Sequence, residues 1–239
     1  MFNTASGPMA DVRLRQAVAQ VVDPTEMVQT LTQDSSAQGS TGLFPSSSPY
    51  HDAGLAAPAA APAEAQKLVD SVKADGGPTE IKVLVAAVPE LVRAGELLQL
   101  NLQKLNGVTV KVEQIPIPDW RAKAYDQNDF DITLYPGIFD LNSAPVGMSN
   151  LFGKGGSDNF ANFDDADMNA ALDKARTATT DADKKAAFAE IQKLYVEKLP
   201  ILVYGTDART FLHGSDVAGF ASMGRGALQT EDLYFTESK

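Results

Sequence analysis

The chain has 239 residues, 44% of them hydrophobic, with 31 acidic against 20 basic side chains and a formal charge of −11. That acid excess, uninterrupted by any Lys/Arg cluster, repels phosphate backbones and leaves no basic helix suited to a membrane surface. The absence of cysteine removes disulfides, thiolate nucleophiles and zinc–thiolate sites together, and the longest apolar runs, 83–88 and 199–204, are far shorter than the ~20 residues of a membrane span.

In chain order, Val12, Ala17, Val18, Val21 and Val22 recur at helical spacing and predict a helix over 11–22. Asp23-Pro24-Thr25-Glu26 starts another: an acceptor at the cap, proline at the first helical position and Glu at the third. Residues 33–62 are rich in Ser, Gly, Ala and Pro and read as a long surface loop, with Phe44, Tyr50 and His51 either reaching a ligand or, the favoured reading, standing as exposed decoration. A helix over 63–74 closes at Gly76-Gly77, a strand follows over 81–86, and a helix over 90–105 closes at Asn106-Gly107. Val108, Val110 and Val112 alternate with polar residues as in a half-buried strand. A short helix over 119–127 leads to a strand over 130–135, and this strand–helix–strand order implies crossovers and a mostly parallel sheet. Residues 136–162 read as loop. Helices follow over 165–178 and 181–198, the second with Thr180 and Asp183 as a cap pair, and then a compact strand over 201–204. Beyond Thr206 the pattern weakens to two short strand candidates, 210–212 and 233–235.

No basic and apolar leader is visible before Phe2-Asn3-Thr4. Either the chain works in the cytoplasm, or a longer precursor begins upstream. Catalytic material is sparse: His51 and His213 sit in no recognised motif, and there is no P-loop, no GxGxxG after a strand and no GxSxG. The run Asp164-Asp165-Ala166-Asp167 lacks the spacing of a calcium loop and reads as capping acids. No metal site and no cofactor is expected.

Four stretches, taken in order, resemble the family 5 solute-binding proteins, the dipeptide- and oligopeptide-binding group. They are Phe2-Asn3-Thr4 with Asp11-Val12-Arg13, Arg15-Gln16-Ala17 and Asp23; the helix at 63–74; Val108 to Trp120 followed by Asp129-Phe130-Asp131; and Asn159-Phe160, Phe163, Leu172-Asp173, Ala175-Arg176 and Leu199-Pro200-Ile201. The resemblance implies an α/β fold: a lobe of the periplasmic-binding-protein type II kind, with a mostly parallel sheet flanked by helices. Residues 1–205 would form the C-terminal ligand-binding lobe of a longer protein, and 206–239 a tail returning to the N-terminal lobe. The implied partners are a small-molecule or peptide ligand and the membrane subunits of an ABC importer. The implied location is extracytoplasmic, in the periplasm or as a cell-surface lipoprotein.

Within that frame Asp140 falls where the family's peptide binders hold the ligand α-amine, and its other reading is a turn-capping aspartate. The family's Tyr-Pro-Asp-Pro is replaced here by Leu141-Asn142-Ser143-Ala144, which makes the ligand a short peptide or another small polar, possibly cationic, solute. Tyr135 and Phe139 flank Asp140 and are candidates to line a cleft or simply to pack. Trp120, the single tryptophan, is a candidate to stack on a ligand or to pack against the sheet. Arg13 and Arg15 read as surface or ion-pair residues. The rival functions are a carboxylate-dependent hydrolase on an α/β scaffold and an interaction domain without a small ligand.

Overall fold

The computed structural model describes residues 1–40, 42–134, 144–205, 212–223 and 227–236. Asp11 and Asp23 each turn a carboxylate back onto the backbone. Asp11 accepts the Arg13 N–H and starts α1, Val12–Val21; Asp23 accepts from Thr25 and Glu26 and starts α2, Pro24–Thr32. The Asp23 cap was legible locally, because a cap needs only its own next three residues, whereas Asp11, expected as the first residue of its helix, is its cap. A long loop then leads to α3, Pro62–Ala74, which packs on α1.

The loop at 33–61 is not loose decoration. Phe44 is fully buried, and its ring meets Tyr50 at 5.7 Å and Phe188 at 5.4 Å, with Tyr50 4.3 Å from Phe188. Three aromatic rings therefore pin a segment whose composition suggested a solvated loop. His51 is exposed, its Nδ1 2.9 Å from the Phe44 carbonyl.

β1, Glu80–Ala86, is the middle strand of a parallel sheet ordered β2-β1-β3, where β2 is Thr109–Ile115 and β3 is Ile132–Thr133. The expected strand over 130–135 shows regular pairing only at Ile132–Thr133. The incoming chain takes up its other side: Phe2 bridges Ile132 antiparallel, and Met1 and Thr133 exchange backbone bonds of 2.7 and 2.9 Å. α4, Pro89–Leu102, joins β1 to β2 across one face, where a Cβ on Gly95 would lie 2.9 Å from Val85 Cγ1, so only glycine lets the helix sit this close. α5, Ile117–Arg121, and a π-helical turn, Ala122–Gln127, join β2 to β3 across the opposite face.

The main core fills the α4 side of the sheet and continues through α6, Ala144–Phe152, α7, Ala166–Thr177, and α8, Asp181–Lys198. α6 lies inside a stretch that reads as loop. Pro145, Gly147, Ser149 and Asn150 disguise it, yet Ala144, Met148, Leu151 and Phe152 are buried at the i, i+4, i+7, i+8 spacing of one helical face. α7 begins on Asp165, whose carboxylate accepts the Met168 N–H, and Asp164 pairs with Lys154 at 2.6 Å; the acid run does cap a helix. α8 is capped by Thr180, with the Thr180–Asp183 pair formed as its sequence suggested.

Residues 201–204 do not form the strand expected there. Their backbone is satisfied elsewhere: the Val203 N–H donates to the Tyr195 hydroxyl and the Tyr204 carbonyl accepts from Ser40. The tail holds two small antiparallel ladders. β4, Val217–Ala218, pairs with β7, Tyr234–Phe235, and β5, Ala221–Met223, pairs with β6, Ala227–Gln229. The candidate strand at 233–235 is thus present as β7, while most of 210–212 lies outside the described residues. Among the described residues no helix is long and apolar enough to cross a membrane.

Candidate functional site at the carboxyl edge of the sheet

In a parallel sheet all strand carboxyl ends share one edge, and open α/β sheets hold their ligands outside that edge. Here it carries the ends of β1 at Ala86, β2 at Ile115 and β3 at Thr133. Met1 lies beside Thr133, so the chain comes into the sheet from this same side.

Trp120 is set just behind the edge. Its indole N–H donates to the Thr133 hydroxyl at 2.9 Å, and that hydroxyl donates to the Leu84 carbonyl at 2.9 Å. The ring is 8% exposed and belongs to a small second core with Leu84, Ala86, Ala124, Phe130 and Phe160. Its edge meets Tyr125 at 6.0 Å, Tyr125 lies on Phe160 at 3.7 Å, and the Arg121 guanidinium sits 5.0 Å over Tyr125. The other three candidates, Tyr135, Phe139 and Asp140, lie outside the described residues, on the segment that leaves the carboxyl end of β3.

Two buried polar groups, neither given this role from the sequence, tie distant backbone segments together. Asn3 is buried; its amide donates to the Asn128 and Phe130 carbonyls, each at 3.1 Å, and so ties the incoming chain to the turn before β3. Arg15, read from sequence as a surface or ion-pair residue, is 5% exposed. Its guanidinium donates to the carbonyls of Met9 and Ala10 on one side and of Lys198 and Leu199 on the other, at 2.6 to 3.0 Å. Burial brings its pKa down to about 10, opposed by the charge of Asp11. It satisfies the carbonyls at the end of α8, which no backbone N–H can reach. Arg13 does make the expected ion pairs, with Asp11 at 2.7 Å and Asp75 at 2.6 Å.

A depression of about 420 Å³ opens at the amino half of the sheet, on its α5 face, lined by Glu80, Lys82, Lys111, Glu113 and Asp131. Its lysines are already matched: Lys111 with Glu80, Lys82 with Asp129, and nearby Lys123 with Glu113. Asp131 accepts the Lys82 N–H at 2.7 Å, and burial pushes its carboxyl above the usual range. This is a solvated ion-pair ladder at the far end of the sheet from the strand carboxyl ends, and it does not make a ligand site. Among the described residues no group of His, Asp and Glu could hold a metal ion.

The fold is shared with solved solute receptors. It is similar to the protein AppA from Clostridium difficile, at 15% identity and TM-score 0.74 over 86% of this chain and 43% of that one. It is similar to a substrate-binding protein from Microbacterium hydrocarbonoxydans, complexed with 4-hydroxybenzoate hydrazide, at 20% identity and TM-score 0.70 over 99% of this chain and 48% of that one. The peptide-binding pheromone receptor PrgZ aligns at 16% identity and TM-score 0.75 over 99% of this chain and 48% of its own. The chain therefore spans less than half the length of each. No curated protein matches it. The profile of the bacterial extracellular solute-binding proteins, family 5 (middle region), matches residues 1–159, and the chain belongs to that family.

Proposed function

We infer that this chain is one lobe of a receptor that captures a small extracellular solute and passes it to an ABC importer, without chemical conversion of the ligand. One observation carries the reading: the segment that pairs with β3 and the segment that follows α8 cross the lobe side by side. The Phe2 N–H donates to the Pro200 carbonyl at 3.1 Å, two residues beyond the end of α8 at Lys198. Adjacent incoming and outgoing segments are what a hinge between two lobes requires, since a short paired crossing bends without disturbing either core. In this reading residues 1–205 form the ligand-binding lobe and 206–239 belong to the opposite lobe.

The ligand is held between the carboxyl edge of this lobe and the facing surface of the other. Asp140, on the segment leaving β3, meets a positive group of the ligand, with Tyr135 and Phe139 beside it. Trp120 supports them from behind, its nitrogen committed to Thr133. Relatives of this fold hold peptides in one case and 4-hydroxybenzoate hydrazide in another, so a short peptide or another small polar solute fits. The receptor works outside the cytoplasmic membrane.

A single lobe supplies only part of the ligand's buried surface and cannot exclude water by closing. Calorimetry on the isolated chain and on a chain extended upstream through a second lobe should therefore differ in affinity by orders of magnitude. Equal affinities would place the whole site within these residues and end the two-lobe reading.

A further inference from the structure

β2 is the end strand of its sheet, and among the described residues no strand pairs along its outer side. Two backbone bonds show which residues face out. The Thr109 N–H donates to the Thr79 carbonyl and the Ile115 carbonyl accepts from Ala87, so Thr109, Lys111, Glu113 and Ile115 turn their backbone groups toward β1. The alternate residues turn theirs away, and Gln99 on α4 donates to the outward Val110 carbonyl at 3.1 Å. The outward backbone groups of Val112 and Gln114 have no partner among the described residues. An edge of this kind is a template for a further strand.

The side chains on the edge are matched to a copy of themselves. Lys111 and Glu113 both line the α5 face, where they pair with Glu80 and Lys123, and Lys111 and Glu80 remain 69% and 62% exposed. Let two β2 strands run antiparallel about a two-fold axis at Val112. Val112 then meets Val112, and Val110 meets Gln114, as hydrogen-bonded pairs, because these are the residues whose backbone groups face out. The Val110 carbonyl has a second lone pair beside the one that Gln99 occupies. Lys111 stands directly opposite Glu113 of the second copy, and the axis repeats the match, so two opposite-charge pairs form. Each row reads Glu80, Lys111, then Glu113 and Lys123 of the second copy, alternating in sign. An axis at Lys111 or at Glu113 would oppose like charges instead, so the side chains select one register. An edge lysine ordinarily deters pairing; the glutamate two positions on admits this one partner.

We propose that β2 pairs with β2 of a second copy of this chain, antiparallel and centred on Val112, and so joins the two sheets into one. Both α4 helices then lie on one face and both ion-pair ladders on the other. The contact is the same patch on both copies, so it closes at two. A single strand pair is a small interface, and the dimer is accordingly weak and reversible. The inference does not depend on the two-lobe reading.

Sedimentation velocity on the full chain over a concentration series tests it. At about 0.15 M salt the Debye length of ~8 Å screens the −11 charge of each copy but not groups in contact. Wild type should form a dimer. Lys111→Glu and Glu113→Lys each place like charges opposite at both pairs, and each should weaken the dimer by at least about tenfold. Mixed in equal amounts, the two variants restore both opposite-charge pairs and should form a heterodimer about as tight as the wild-type dimer. In wild type the Val112 and Gln114 amides should also exchange hydrogen more slowly as concentration rises, while the tail ladders do not respond. If a variant fails to fold, this exchange measurement decides alone. A wild-type chain that stays monomeric up to about 1 mM overturns the proposal. So does a dimer indifferent to both substitutions, which assigns the contact to another surface. A mixture of variants that stays apart rejects the Val112-centred register and with it the proposal.

Discussion

At the scale of single residues, Arg15 has the most consequential surroundings. A buried cation with no carboxylate bonded to it among the described residues survives because four backbone carbonyls share the charge. It also secures Leu199, whose φ of 45° places a non-glycine residue in the left-handed region at the end of α8, a conformation that costs a branched side chain ~1–2 kcal/mol. Arg15→Met keeps the apolar stem and strands those carbonyls. It should destabilise the chain by about 3 kcal/mol, a melting-temperature loss on the order of 10 °C for a chain of this size. An unchanged melting temperature would mean that the cost of burying the guanidinium cancels its hydrogen bonds. Asp140 predicts the opposite signature. In the two-lobed protein Asp140→Asn should weaken binding by roughly ten- to a hundredfold, the worth of a hydrogen bond to a charged group, while the unliganded melting temperature stays put. A variant that binds as tightly as wild type, or that unfolds, makes Asp140 a turn cap.

At the scale of elements, the contrast lies between the central sheet and the tail. β1 and β2 pair over seven residues each and are covered on the α4 side by the main core. The tail ladders are two and three residues long, and Leu212, Tyr234 and Phe235 are 95%, 60% and 80% exposed. Short ladders with bare apolar side chains have little to protect them and present open edges. Hydrogen exchange in the isolated chain should be much faster over 212–236 than over 108–112. Protection equal to that of β2 in a proven monomer would show that the tail is native to this lobe and would move the boundary drawn at 205.

At the scale of the whole molecule, the acid excess sets the response to pH. Asp11 is held below the usual 3.8 chiefly by its hydrogen bond from Arg13, Asp129 by Lys82 and Asp164 by Lys154. For an acid with a lowered folded pKa, the stabilisation is complete above 3.8 and is lost as pH falls through the folded value. Asp11 and Asp129 are half-exposed and Asp164 is exposed, so water screens each pair and each contributes little. Asp131 has the reverse sign. Burial raises its pKa, so ionisation costs stability at neutral pH, and the cost disappears as pH falls through the raised value. Asp131→Asn retains an acceptor for the Lys82 N–H. It should therefore raise the melting temperature at neutral pH and leave it unchanged in acid below 3.8; a loss of stability at neutral pH would show that the charge itself holds β3 to β1.

What the sequence determined by itself is what depends on near neighbours. The caps at Asp23 and Thr180, the proline start of α2 and the alternation in β2 all act within a few residues, so composition and spacing suffice to read them. The order of these elements was enough for the parallel crossover topology. Tertiary structure decided the rest. Arg15 looked like a surface cation because its partners at 198 and 199 lie far along the chain. Phe44 looked exposed because the ring that buries it is Phe188. α6 was hidden because a segment of proline, glycine and serine becomes helical only when its one apolar face finds a core.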